Sequence, residues 1–361
     1  MLGAVELVAR LVLPFPLGSG GTYQNFDDVV YFHRPASKGH EVSPIGEFRP
    51  VELRYDRHGF RGDGEQPPQA GSFYAILGDS FVEARQVPER QSVAGLLGAG
   101  DPASAFINAG CSAYTTTTSY LLLKSRVLPL KPKAVIFFFT FNDYRDNFVY
   151  GGGYFRHPDV FSTGAPKSWQ PQAGSPGAVA LLAQYSAVFA NLQLALSRPV
   201  IPRGPLETRA TLNRFEQSFM AVNKPTGKLD GVEREVLEFT HRGLAEMAAL
   251  ARAGGARFVI FIIPLPTQVG PAEWVRGKVL QAGVARDFVE RDTTYQERLM
   301  DFCRSGNIEC IDLLPAFRAA GRERRLFFDY DGHWNAAGNR TAAFEVARAF
   351  AIDRSRLAPI E

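Results

Sequence analysis

The sequence predicts an α/β fold, a three-layer α/β/α sandwich built on a mostly parallel sheet. Three observations carry that expectation. Short apolar runs at 73–77, 105–110 and 134–140 alternate with helical segments at 89–99 and 117–128. The same rhythm resumes later, with a helix at 230–253, a strand at 257–263, a helix near 290–304, a strand at 307–313 and a closing helix from about 335. The runs at 73–77 and 134–139 are also continuously apolar, as strands covered on both faces by helices must be. Strands and helices alternating at this spacing are the signature of a parallel sheet with crossover helices.

Composition fits a globular enzyme. Of 361 residues, 45% are hydrophobic and 21% charged, which supplies a sizeable core and excludes disorder as the main state. Lys+Arg number 40 against Asp+Glu 37, and the resulting +3 is too small to point to nucleic acid as a partner. Three cysteines rule out a disulfide scaffold. Cys303 and Cys310 could pair in an oxidising compartment, but three unpaired, mostly buried thiols are the simpler expectation.

Taken in order, residues 2–14 (LGAVELVARLVLP) are the only candidate targeting segment. Glu6 and Arg10 lie four apart and can pair on one helix face. The run is too short and too charged to span a bilayer of about 30 Å. It reads either as an amphipathic helix packing on the domain or as the tail of a membrane helix, which would bring membrane association. Residues 15–70 are rich in Gly, Pro, Asp and His without periodicity. The region 1–70 is therefore expected to hold an N-terminal helix and an irregular lead-in with one or two short strands, ahead of a main domain at 71–361.

Within that domain, FYAIL at 73–77 reads as a buried strand meeting a turn at Gly78, and AVIFFFT at 134–140 is the most strand-like run. From about 144 to 230, Gly/Pro-rich stretches surround a helical run at 178–197. A structureless loop of that length is uncommon, so an insertion with structure of its own is expected. Helix 230–253 ends at Gly254-Gly255, and RFVIFII at 257–263 is stopped by Pro264 and Pro266.

Three clusters sit where strands end, the place where open α/β sheets bind ligands. Gly78-Asp79-Ser80-Phe81 follows the first strand. A serine on a glycine-started turn ahead of a helix is placed as an exposed nucleophile, although Asp and Ser there also make an ordinary helix cap. Asn142-Asp143 follows the run 134–140. An asparagine there can offer its side-chain NH₂ to an oxyanion, and Asn-Asp is equally common turn chemistry. Phe328-Asp329-Tyr330-Asp331-Gly332-His333-Trp334-Asn335 precedes the closing helix. It puts a histidine beside carboxylates, the pairing a general base needs; a turn with a surface histidine is the plainer alternative.

Together the clusters resemble the SGNH/GDSL hydrolase superfamily in chain order, spacing and strand context, over roughly residues 71–361 apart from the insertion. Ile107-Asn108-Ala109-Gly110, Asp146-Asn147 after Asn142-Asp143, and Asp312-Leu313 are similar to further phrases of that family. Arg57-His58-Gly59-Phe60-Arg61-Gly62 resembles the lead-in of bacterial members linked to surface polysaccharides. The resemblance implies a flavodoxin-like SGNH hydrolase fold, Ser80 as nucleophile and His333 as its base. It also implies Asn142 and the Ser80 N–H as oxyanion donors.

Two positions depart from the family pattern. The glycine that completes the oxyanion hole falls on Ala113, which keeps the backbone donor if the local angles suit alanine. The aspartate expected three residues before the histidine falls on Tyr330. Asp331, two before, is expected to reach the imidazole, with Asp329 in reserve. Asp331-Gly332-His333-Trp334 resembles the Asp-x-His-Trp of polysaccharide O-acetyltransferases.

The implied reaction is acyl transfer through a covalent acyl-Ser80 intermediate, the oxyanion held by Ser80, Ala113 and Asn142. No metal or cofactor is expected, since the sequence has no HExxH, paired CxxC or P-loop. The leading reading is a serine esterase removing small acyl groups, acetyl first, from a carbohydrate or related polar substrate. A polysaccharide O-acetyltransferase using the same serine, and a non-catalytic carbohydrate-binding protein, are the alternatives. Tyr150, Tyr154, Phe155 and Trp169 could line the substrate pocket or form the insertion's own core, and the apolar helix at 177–196 could be a lid. The expected partner is a small-molecule or polysaccharide ester, not nucleic acid. The resemblance and the N-terminal segment point to an extracytoplasmic location, periplasmic or membrane-associated.

Overall fold

The computed structural model describes residues 22–43, 45–62, 70–149 and 231–357. The segment 2–14, nearly all of the insertion expected at 144–230, its helical run and its aromatics Tyr150, Tyr154, Phe155 and Trp169 lie outside the described residues. Among the described residues no helix is long and apolar enough to cross a membrane.

Two antiparallel hairpins come first, β1 (Tyr23–Asn25) with β2 (Tyr31–His33), then β3 (Lys38–Glu41) with β4 (Val51–Arg54). The lead-in is thus more regular than its composition suggests. Strands of three or four residues are too short to show periodicity, and such hairpins are stable only through what they pack on.

The central sheet contains β5 (Phe73–Gly78), β6 (Ala105–Gly110), β7 (Ala134–Phe139), β8 (Arg257–Ile262) and β9 (Glu309–Asp312). All pairings are parallel, in the order β6-β5-β7-β8-β9. Every residue of β5 and β7 is buried, which accounts for their unbroken apolar runs. Successive side chains alternate between two cores. Phe73, Ala75, Leu77, Val135, Phe137 and Phe139 enter one; Tyr74, Ile76, Ala134, Ile136 and Phe138 enter the other.

In chain order the helices are α1 (Ser80–Glu83), α2 (Val93–Gly100), α3 (Thr116–Leu122), α4 (Asn142–Val149) and α5 (Gly231–Ala253). There follow α6 (Pro266–Val269), α7 (Val275–Gly277), α8 (Thr294–Ser305), α9 (Leu314–Ala320) and α10 (Ala336–Ala349). Residues of α3, α5 and α8 close the first core, and residues of α2, α9 and α10 the second, completing the α/β/α sandwich. The helix expected from 89 opens as a 3₁₀ turn (Glu89–Gln91) and becomes α-helical only at Val93, where Ser92 takes the N-cap and accepts from the Gly95 N–H at 3.2 Å. The helix expected at 117–128 is α-helical to Leu122 and then relaxes into a π turn (Leu123–Val127) and a 3₁₀ turn (Leu128–Leu130), where Pro129 has no N–H to continue the ladder.

Cys303 of α8 and Cys310 of β9 form a disulfide, with Cα atoms 6.1 Å apart. This corrects the expectation of three unpaired thiols. The tight turn between helix and strand brings the two within bonding reach. Cys111 is free and buried.

Candidate active site

The site forms at the carboxyl ends of β5, β6 and β7, where the strand order reverses around β5. Gly78 ends β5 at φ +156°, and a Cβ there would lie 2.6 Å from Val82 Cγ2, so the turn into α1 admits no side chain. Asp79 does act as the cap, its carboxylate accepting from the Phe81 N–H at 2.9 Å. That leaves Ser80 at the first helical position with its hydroxyl directed outward. The capping and nucleophile readings of this tripeptide therefore both hold, on adjacent residues.

Ser80 Oγ lies 2.7 Å from His333 Nε2, and Asp331 Oδ1 lies 2.6 Å from His333 Nδ1. Nδ1–H donates to the carboxylate, which leaves Nε2 free to accept the serine proton. Asp331 Oδ1 also accepts the backbone N–H of His333 at 3.1 Å, so a tight turn with Gly332 at φ +85° aims carboxylate and imidazole at each other. Asp329 is elsewhere. Its carboxylate accepts from Arg276 Nε at 2.8 Å and from the Arg276 backbone N–H at 3.0 Å, anchoring a neighbouring loop.

Burial would push the His333 imidazole down, but Asp331, through charge and hydrogen bond, and Asp79 outweigh it and hold its pKa above the ordinary value. Asp331 responds in the opposite sense: burial raises it, while His333 holds it below the usual carboxylate range.

Ala113 takes the place expected to complete an oxyanion hole. It adopts φ +60°, the left-handed region that favours glycine, so the backbone keeps the glycine-like path with an alanine on it. At the end of β6, a Cβ on Gly110 would sit 2.3 Å from the Glu83 nitrogen, and this close approach lets the turn at 111–113 settle on α1. Among the described residues neither the Ser80 nor the Ala113 N–H has a hydrogen-bond acceptor. Asn142 donates from Nδ2 to Asp146 Oδ2 at 2.9 Å and to Asp79 Oδ2 at 3.2 Å. To serve an oxyanion it must release one of these carboxylates, and the longer bond, to Asp79, is the weaker.

A carboxylate cluster underlies this corner. Thr140 Oγ1 donates to Asp79 Oδ2 at 2.9 Å, and the Thr140 N–H donates to Asp143 Oδ2 at 2.9 Å. Burial pushes Asp143 well above the ordinary carboxyl value, and the neighbouring Asp79 and Asp146 push it further. Burial also raises Asp79. Among the described residues no group of three or more His, Cys, Asp or Glu side chains could hold a metal ion.

Several supporting residues escape a reading of sequence alone. Glu83, fully buried, accepts from Tyr55 Oη at 2.6 Å, His33 Nε2 at 3.1 Å and Tyr23 Oη at 3.0 Å, all from the lead-in. It also accepts from the N–H of Ser112 at 2.6 Å and from its hydroxyl at 2.5 Å, which ties it to the Ala113 turn. Burial opposes its ionisation, but His33, Arg85 and Ser112 overcome that and hold its pKa far below normal. The buried Arg61 guanidinium donates to the carbonyls of Glu83, Ala84 and Val87, the last at 2.6 Å, satisfying the end of the short α1. Gln86 Nε2 donates to Asp331 Oδ2 at 3.4 Å and lies 3.1 Å from His333 Nδ1. Of these residues, only Arg61 lies in a stretch that sequence alone singles out.

Among solved structures, the chain is similar to LAE5, an alpha/beta hydrolase from the metagenome of Lake Arreo, Spain. The identity is 16% over 81% of this chain and 99% of that one, with a TM-score of 0.41. A catalytic mutant of Axe2, an acetylxylan esterase from Geobacillus stearothermophilus, matches at 11% identity over 82% of this chain and all of that one, TM-score 0.42. A putative lipolytic protein of the G-D-S-L family from Desulfitobacterium hafniense matches at 12% over 77% and 98% of the two chains, TM-score 0.40. No curated protein matches the sequence. The model of the GDSL-like lipase/acylhydrolase family matches residues 76–341, from within β5 to within α10 and across Ser80, Ala113, Asn142, Asp331 and His333, and the chain accordingly belongs to that family of hydrolases.

Proposed function

We propose that the protein is a serine esterase that removes small acyl groups, acetyl first, from a hydroxyl-rich carrier such as a carbohydrate. The observation that carries the reading is the continuous path from Asp331 through His333 to Ser80, with links of 2.6 and 2.7 Å. His333 Nε2 takes the Ser80 proton as Oγ attacks the ester carbonyl. The N–H groups of Ser80 and Ala113, with Asn142 once it turns from Asp79, receive the oxyanion; each such donor is worth roughly 3 kcal/mol in the transition state. The tetrahedral intermediate collapses as His333 returns the proton to the leaving alcohol, and the acyl group stays on Ser80. Water, deprotonated by the same imidazole, then attacks the acyl-enzyme and frees the carboxylic acid and the serine.

The polar surroundings of the serine support a carbohydrate as the carrier. Gln86, Asn142 and Asp331 bring polar groups to the corner of the serine and histidine, and Phe81, its ring 5.0 Å from that of His333, is the aromatic beside them. Such a wall favours an alcohol rich in hydroxyls over a long acyl chain. The test is turnover of p-nitrophenyl acetate by the protein and by Ser80→Ala, with acetylated sugars and a long-chain ester as competitors. Loss of turnover in the variant, together with inhibition by the acetylated sugar, supports the reading. Preference for the long chain would replace the carbohydrate with a lipid. Acetyl transfer to an added oligosaccharide, faster than hydrolysis, would make the same serine an acyltransferase.

A further inference from the structure

We propose that Glu47, from the lead-in, is a positioning residue for the acid–base loop, and that the lead-in is therefore part of the catalytic unit. The inference rests on the serine-esterase reading for its kinetic test. Glu47 Oε1 accepts the backbone N–H of Tyr330 at 2.7 Å, and Oε2 accepts that of Asp331 at 2.9 Å. Two successive N–H groups converging on one carboxylate form a small anion-binding nest, here filled by a side chain 283 residues away in sequence. The Glu47 side chain is 4% exposed, so these bonds are little diluted by water.

The contact has its own scaffold. Ser43 Oγ accepts the Glu47 N–H at 2.8 Å and closes the turn that presents the carboxylate. Phe48 lays its ring 5.1 Å from that of Phe328, at the start of the same loop. Trp274 Nε1 donates to the Tyr330 carbonyl at 3.1 Å, and Arg276 holds Asp329. Asp331 is thus gripped through its backbone by Glu47 and through its side chain by His333 and Gln86. Shifting the Asp331 backbone would move the carboxylate and imidazole together away from Ser80, and a displacement near 1 Å costs about 10²-fold in rate.

Glu47→Gln tests this with little change of shape, because the amide keeps one acceptor and turns N–H against N–H at the other. The expected result is a fall of about 10²-fold in kcat for p-nitrophenyl acetate with KM within about twofold. Glu47→Asp, which keeps both oxygens, should recover part of the loss. Val29→Ala removes buried lead-in packing in the first core, not in the Glu47 turn, and should lower the melting temperature while leaving kcat within a few-fold. A second readout is independent of turnover. In the full chain carrying Ser80→Ala, amide exchange at Tyr330 and Asp331 should be strongly protected, and the downfield His333 Nδ1 proton signal should shift when Glu47→Gln is added. Fast exchange at both amides, an unmoved imidazole signal, or Glu47→Gln and Val29→Ala losing kcat in proportion to their stability would each overturn the proposal. Absence of esterase activity with both amides protected would instead remove the esterase reading and leave the Glu47 clamp standing.

Discussion

Asp329 and Asp331 are two residues apart, and the structure gives them unrelated partners. Asp331 meets His333, while Asp329 neutralises Arg276. Because Asp331 holds the imidazole above its ordinary pKa, and only neutral His333 can take a proton, activity should fall as pH drops through that raised value. Asp331→Asn removes the attraction, so the acidic limb of kcat/KM should move to lower pH while the plateau drops by roughly 10³–10⁴-fold. Asp329→Asn should leave the limb in place and lower the plateau by less than about tenfold, since its carboxylate holds Arg276 and not the imidazole. An acidic limb that moves with Asp329 would reassign the acid. Ala113 supports a separate prediction. Its φ of +60° costs alanine about 1 kcal/mol, so Ala113→Gly should change stability by less than about 1 kcal/mol, strain relief offsetting the added freedom of the unfolded chain. Its esterase kcat should stay within about twofold, because the donor is the backbone N–H. A large loss would mean that the methyl group, not the N–H, is what the site uses.

At the level of elements, residues from both hairpin regions of the lead-in converge on one carboxylate of the main domain. Glu83 gathers Tyr23, His33 and Tyr55 on one side and Ser112 on the other. Glu83→Gln puts an NH₂ among donors and should cost about 3–5 kcal/mol in denaturant unfolding near neutral pH. The sign of the pH dependence follows from the depressed folded pKa. The carboxylate's stabilisation is complete above its unfolded value near 4.5 and is lost as pH falls below it, so the deficit of the variant should narrow on acidification. A deficit independent of pH would place the effect in packing instead. This hub also marks where sequence reading stops. Strands β5 to β8 are legible to within a residue because each is mainly apolar, with β5 and β7 buried throughout, and is bounded by glycine, proline or a polar turn. Ser80, His333, Asp331 and Asn142 stood out because each follows a strand or precedes a helix in a recognisable phrase. Glu83, Gln86 and Glu47 did not, since their roles depend on partners tens to hundreds of residues distant. The lead-in holds four short strands where one or two are expected, for a related reason: they are stabilised by long-range contacts, not by a pattern of their own.

Across the molecule, the second core and the site share a ring stack. Trp334, next to His333 in the chain, is 1% exposed, and its Nε1 has no hydrogen-bond partner among the described residues. Packing therefore fixes it. Its ring lies 5.2 Å from Phe81 beside the serine, 5.8 Å from Phe138 in β7 and 5.3 Å from Phe317 in α9. Phe138 in turn stacks on Phe261 of β8 at 5.4 Å, so the middle of the sheet is continuous with the histidine loop. Phe73 is equally buried in β5 but faces the opposite core, away from Trp334. Truncating either phenylalanine to alanine should cost about 3–5 kcal/mol, through lost burial and the cavity left behind. The two should differ in function. Phe138→Ala opens space beneath Trp334 and should lower kcat well beyond Phe73→Ala when both are assayed where they remain folded. The check is a paired measurement of unfolding midpoint and kcat. If the two variants lose activity equally at equal loss of stability, the sheet supports the histidine loop only by being folded, and the ring stack carries no specific coupling.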